Sequence, residues 1–100
     1  MADRTSQFGS FEWDPEKEKH NVAKQGLSFT EAIDAFLDSR RVIAVDDAHS
    51  EEEPRFFCVG MVGKKVATVR FTMRARKVRI IGTGYWRKGK VTYEKARKSK

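Results

Sequence analysis

Between Val66 and Lys90 the sequence reads VATVRFTMRARKVRIIGTGYWRKGK, where eight Lys or Arg side chains and not one acid accompany a run of β-branched and aromatic residues. Cations at that density suit contact with a polyanion, and arginine in particular binds phosphate through paired hydrogen bonds from its planar fork. Tyr85 and Trp86 lie beside Arg87 and Lys88. Nucleobases stack on such rings while neighbouring cations hold the backbone, so Trp86 and Arg87 are candidates for RNA contact. The alternative for Trp86 is a packed residue closing the bottom of the core.

The elements that must position these side chains follow from periodicity. Alternation puts Ala67, Val69, Phe71 and Met73 on one strand face and Val66, Thr68, Arg70, Thr72 and Arg74 on the other. In KVRIIGTG, Val78 and Ile80 point one way and Lys77, Arg79 and Ile81 the other. If these strands pair with their apolar faces under helices, Arg70, Arg74, Lys77 and Arg79 form an exposed cationic sheet face. RARK supplies the turn between them. Upstream, RFFCVGMV reads as a buried strand that Gly63-Lys64 turns back, and RRVIAVDD as a strand followed by the acidic loop AHSEEEP.

The amino-terminal part reads as helical after a short strand in FGSFEWD. Asp14 suits an N-cap and Pro15 the first helical position, and EKEKHNVAKQ runs to a terminator at Gly26. Ser28 and Glu31 have capping-box spacing, and EAIDAFLD places Ala32, Ile33, Phe36 and Leu37 on one side. RKGKVTYEKARKSK reads as a short basic helix or a frayed tail. The expected fold is therefore α+β, with two N-terminal helices on a mainly antiparallel β-sheet. One domain spans 1–100, with 1–10 a poorly ordered extension and 95–100 a frayed end.

Composition bounds the function. One hundred residues at 39% hydrophobic content support a single core. Residues 1–53 carry six Lys/Arg against thirteen Asp/Glu, net −7, whereas 54–100 carry fifteen against one, net +14. That segregation favours a basic surface for a polyanion over simple solubility. The lone Cys58 lies in an apolar run and suits a reducing cytoplasm, and neither a signal peptide nor a membrane span is expected. His20 reads as a solvated helix residue. His49 stands among Asp46, Asp47, Glu51, Glu52 and Glu53 and is a general-acid candidate; the acids around it read as solvated, and no metal or other cofactor is expected.

FEWD, the Asn21 to Lys24 to Gly26 spacing, SFTEA, DDAHSEEEPRF, FTMR and RII, in this order from about Phe11 to Ile81, resemble the BrnT toxins of bacterial type II toxin–antitoxin systems. The resemblance implies a RelE-like fold, endoribonuclease activity on mRNA that inhibits translation, and neutralisation by a BrnA-like antitoxin. It also implies RNA as substrate, free or at the ribosome, DNA contact only through the antitoxin complex, and a possible dimer within that complex. Carried over by position, Lys24, Arg55, Arg74 and Arg79 are the catalytic candidates, with Arg70 and Lys77 beside them as RNA contacts. The chain departs from the family pattern at Gln25, where histidine is usual, and at Gly82, Thr83 and Gly84, where the family commonly has S-A-R; Arg87 is the candidate substitute.

Metal-free RNA cleavage needs a base for the 2′-hydroxyl proton, charge for the phosphorane and an acid for the leaving oxygen. Guanidinium groups stay protonated and fit the middle role, which assigns Arg74, Arg79 and Arg55 to phosphate and transition-state contacts. Lys24 is open to the base role or to phosphate binding. Arg55 has an alternative as an ion-pair partner of Glu52 or Glu53. Three readings remain at this point: a toxin ribonuclease, a noncatalytic nucleic-acid-binding module, and a protein-interaction module with a basic face for an acidic partner.

Overall fold

The computed structural model describes residues 6–8 and 10–98. Its elements are β1 (Ser6–Phe8), β2 (Phe11–Trp13), α1 (Pro15–Gln25), α2 (Phe29–Leu37), β3 (Val42–Val45), β4 (Phe56–Val62), β5 (Lys65–Arg74), β6 (Lys77–Gly84) and α3 (Arg87–Lys98), with a 3₁₀ turn at Asp47–His49. Among the described residues the strands form one sheet in the order β1-β2-β6-β5-β4-β3. Every neighbouring pair is antiparallel except β2 with β6. The α+β class and the mainly antiparallel sheet are as the sequence predicts. The expectations for 1–10 and 95–100 fall partly outside the described residues; within them, 6–8 form β1 and 95–98 continue α3.

Alternation along β4, β5 and β6 gives the sheet an inner face that carries the core. Ala67, Val69, Phe71, Cys58 and Ile80 are buried there against Phe29, Ala32 and Ile33 of α2. Phe36 meets Phe11 and Phe71 edge to face at 5.0 and 5.1 Å. Burial pushes the Cys58 thiol up to about 12, so it is an inert packing residue. Two residues assigned to this face differ from expectation. Leu37 is 72% exposed because it is the last helical residue before Asp38 ends α2, and Met73 is 48% exposed because β5 runs past the helices there.

The helices attach by different means. In α2 the capping box is present: Ser28 Oγ accepts from Glu31 N, and Glu31 Oε1 accepts from Ser28 N. The helix approaches β4 so closely that a Cβ on Gly60 would collide with the Ala35 carbonyl. By contrast α1 has no buried residue. It lies along β6 beyond the end of β2, where the Asn21 amide donates to Thr83 O and Leu27 O and accepts from Thr83 N. From the same helix, Glu18 accepts from Trp13 Nε1 and from Phe29 N at the start of α2.

The third helix, α3, crosses the outer face of the sheet, a placement the sequence left open between helix and tail. Gly89 sits directly on Thr68, with no room for a side chain between them. Tyr93, 3% exposed, donates its hydroxyl to Asp38 Oδ2, which also accepts from Met61 N, while Asp38 Oδ1 accepts from Arg40 N. Desolvation raises the Asp38 carboxyl pKa, but the hydrogen bonds from Tyr93, Arg40 and Met61 outweigh it and hold the group below its ordinary value. Burial, then the bond to Asp38 and its charge, raises Tyr93.

A carboxylate held low contributes stability above its unfolded pKa and loses it as pH falls through the folded value. Tyr93→Phe should therefore cost about 1.5–3 kcal/mol near neutrality, and the penalty should shrink under acid conditions once Asp38 is protonated. Urea denaturation of both proteins at neutral and acid pH measures this; a penalty constant with pH would contradict it.

Candidate functional site

The outer sheet face is divided by α3. Over its first part, Thr68 is covered by the helix. Beyond α3 the register sets the remaining side chains in rows. Glu12, Arg79 and Thr72 lie side by side across β2, β6 and β5, and Gly82, Arg70 and Phe57 form the next row across β6, β5 and β4. Arg74 is opposite Lys77 at the end of the hairpin. Its turn residues Ala75 and Arg76 both have left-handed backbone, at φ 50° and 68°, as a tight two-residue hairpin requires. For non-glycine residues that conformation costs roughly 1–2 kcal/mol each.

A bulge shapes the second row. Phe71 pairs with Ile80 and Arg70 with Gly82, so Ile81 is the extra residue. Parity reverses beyond it, and Thr83 joins the inner face, fully buried. Gly82 places no side chain beside Arg70, and the nearest group to a Cβ there would be Asn21 Oδ1 at 3.8 Å. The sequence pattern does not show this reversal, because simple alternation continues through Ile81.

Three of the four catalytic candidates meet carboxylates. Arg79 Nη1 donates to Glu12 Oε2 at 3.1 Å, with both side chains largely buried. Glu53 bridges Arg55 and Arg74, at 3.4 and 3.3 Å. Arg55 is thus ion-paired as its alternative reading anticipated, yet its Nε is buried without a partner. Between the arginines Thr72 is 1% exposed and donates its hydroxyl to Pro54 O at 2.6 Å, fixing the end of the acidic loop to β5. Glu12 and Thr72 were not among the sequence candidates. The signal for Glu12 was the alternation of FEW, which puts it on the face opposite the buried Trp13.

The acidic loop is a folded structure. Asp46, 5% exposed, accepts from His49 Nδ1 at 2.9 Å, and Ser50 Oγ donates to Asp46 O and accepts from Arg55 N. His49 and Arg55 line one shallow hollow of ≈ 260 Å³ together with Glu51, Glu52 and Glu53. Among the described residues no group of three or more His, Cys, Asp or Glu side chains is placed to hold a metal ion.

The other candidates lie elsewhere. Arg70 is half-buried between its neighbours, and among the described residues neither it nor Lys77 forms an ion pair. Lys24 is exposed in the last turn of α1. Asn21, one turn earlier, anchors that helix to Thr83, four residues along β6 from Arg79 or roughly 13 Å of strand. Lys24 is therefore separate from the Arg79 row, while Asn21 itself lies beside Gly82 of the Arg70 row. Trp86 is half-buried, its indole against Gly84, and Arg87 is exposed at the start of α3. Next to Arg70, Phe57 and Trp86 help line an apolar hollow of ≈ 400 Å³.

Residues 13–89 match the family described as ribonuclease toxin, BrnT, of type II toxin-antitoxin system. No curated protein matches the chain.

The Glu53 carboxylate occupies donors that an incoming phosphate would use. Glu53→Gln should tighten binding of tripolyphosphate roughly two- to five-fold, the scale of one partly exposed ion pair. Titration followed through the arginine side-chain NMR signals measures it. Weaker binding in the variant would mean that Glu53 holds the arginines in place and does not compete for them.

Proposed function

The chain belongs to the BrnT family of ribonuclease toxins of type II toxin–antitoxin systems, and from that premise we propose that it is a metal-independent endoribonuclease that cleaves mRNA and so inhibits translation. The observation that carries this reading is the uncovered end of the outer sheet face. There Arg55, Arg70, Arg74, Lys77 and Arg79 face one surface, where Glu12 and Glu53 pair with three of them and Glu51 and Glu52 share the hollow beside Arg55.

In the proposed reaction the 2′-oxygen loses its proton to a base and attacks the adjacent phosphorus. The bond from phosphorus to the 5′-oxygen breaks and that oxygen takes a proton from an acid, leaving a 2′,3′-cyclic phosphate and a 5′-hydroxyl. Arg79, fixed by Glu12, and Arg74 contact the phosphate oxygens as negative charge builds on them, and Arg55 is the third such contact, its Nη2 exchanging Glu53 for the phosphate. A donor already held in place loses little freedom when the transition state forms, which is the physical value of the buried Glu12 partner. Arg70 and Lys77 hold flanking phosphates.

Proton transfer is assigned to the groups at the margins of the face. His49, in the hollow it shares with Arg55, is the acid for the leaving oxygen. Lys24 is the base if RNA draws the end of α1 toward Arg79, and otherwise a phosphate contact. The cognate BrnA-like antitoxin neutralises the toxin by covering the arginine face, and DNA contact arises only through that complex, within which the toxin is a dimer. The protein acts in the cytoplasm, on mRNA alone or at the ribosome; among the described residues no helix is long and apolar enough to cross a membrane.

Induced expression in bacteria should arrest growth with loss of mRNA, and an Arg74→Ala, Arg79→Ala variant at matched protein level should do neither. In vitro, Arg79→Ala should slow cleavage at least about 100-fold while weakening RNA binding far less, as expected for a group that acts in the transition state. Equal losses in binding and cleavage, or normal growth with both proteins, would favour a noncatalytic RNA-binding module. Cleavage by the unaltered chain should persist in excess EDTA.

A further inference from the structure

A second basic site lies on the other flank of α3 from the apolar hollow beside Arg70. A cleft of ≈ 390 Å³ separates that helix from the β4–β5 turn. Lys64 and Lys65 enter it from the turn, and Arg87, Lys90 and Arg97 enter it from one stripe of α3 at helical spacing. Glu94 is the one acid in its wall, and among the described residues none of the five cations is ion-paired to a carboxylate. Tyr85, 38% exposed, and Trp86 supply aromatic surface, and Lys65 Nζ lies 5.0 Å from the centre of the Tyr85 ring. Trp86 lines both this cleft and the hollow beside Arg70, so the two spaces share a wall.

We infer that this cleft is a second subsite for single-stranded RNA, holding the strand that flanks the phosphate at the arginine face. Convergent, unneutralised cations supply sequence-independent grip on the backbone, and the two rings supply stacking surface that an acidic peptide would not require. Lys65 and Arg70 are five residues apart on β5, roughly 17 Å, a separation that a few nucleotides of extended strand cover. The inference uses the ribonuclease reading only to identify the strand; the cleft itself binds whether or not RNA is cut.

The test is the salt dependence of binding of an oligouridine of about 16 nucleotides, between about 50 and 200 mM salt. Lys64→Glu with Lys90→Glu should make the plot of log K against log salt shallower by about 1.4, two lost contacts at about 0.7 each. Lys17→Glu with Lys19→Glu, on exposed α1 and with the same change in net charge, should leave the slope unaltered. Coincident slopes for the two double variants would overturn the proposal, as would polyglutamate displacing the RNA at equal charge. RNA that is cut while those slopes coincide would retain the ribonuclease reading and remove the cleft; distinct slopes without cleavage would do the reverse.

Discussion

Asp38 accepts hydrogen bonds from the chain just after α2, from the backbone of β4 and from Tyr93 on α3, joining elements of both faces of the sheet. Because α3 is tied there at its middle and rests on Thr68 through Gly89 one turn earlier, its path over the outer face is fixed. That path decides what remains uncovered. The Thr68 end of β5 lies under the helix, and the end bearing Arg70 and Arg74 stays open. The carboxylate is kept ionised by the groups it anchors, so the junction and the charge state support each other.

An open face with five cations carries its own electrostatic cost, and the fold offsets part of it with carboxylates drawn from the acidic half of the chain. Glu12 comes from β2, far in sequence from Arg79, and Glu53 from the loop before β4, far from Arg74 though two residues from Arg55. The opposite net charges of the two halves are therefore matched locally. What is left over is a surface with excess positive charge whose arginines are held in defined positions. Arg70, half-buried between Phe57 and Gly82, has no carboxylate partner among the described residues, so its donors are not taken by an internal anion.

Local rules written in the sequence were reliable where they rest on backbone chemistry. Asp14, Pro15 and Gly26 bound α1, the Ser28–Glu31 box starts α2, and Gly63, at φ 62°, turns β4 into β5. The alternation that put Arg70, Arg74, Lys77 and Arg79 on one face also held. What the sequence did not show depends on contacts between distant segments. The parallel pairing of β2 with β6 brings Glu12 to Arg79, and α1 binds through Asn21 and Glu18 with no apolar stripe to announce it. The third helix was ambiguous because its buried side reduces to Gly89 and Tyr93, too few positions to give a periodic signal.

The segment after Ile81 is shaped by packing. A Cβ on Gly84 would fall within the Trp86 indole, and Gly89 meets Thr68 with equal lack of space. Glycine on the strand, tryptophan after it and glycine on the helix are thus one packing solution, which seats the start of α3 on the sheet. A larger residue at position 84 would expel the indole, and the helix would follow. Strand positions 82–84 carry no cation here, yet the same packing presents Arg87 and Lys90 from α3. Positive charge absent from the end of β6 is supplied one element later, on a surface that exists only because Gly84 lets Trp86 lie down.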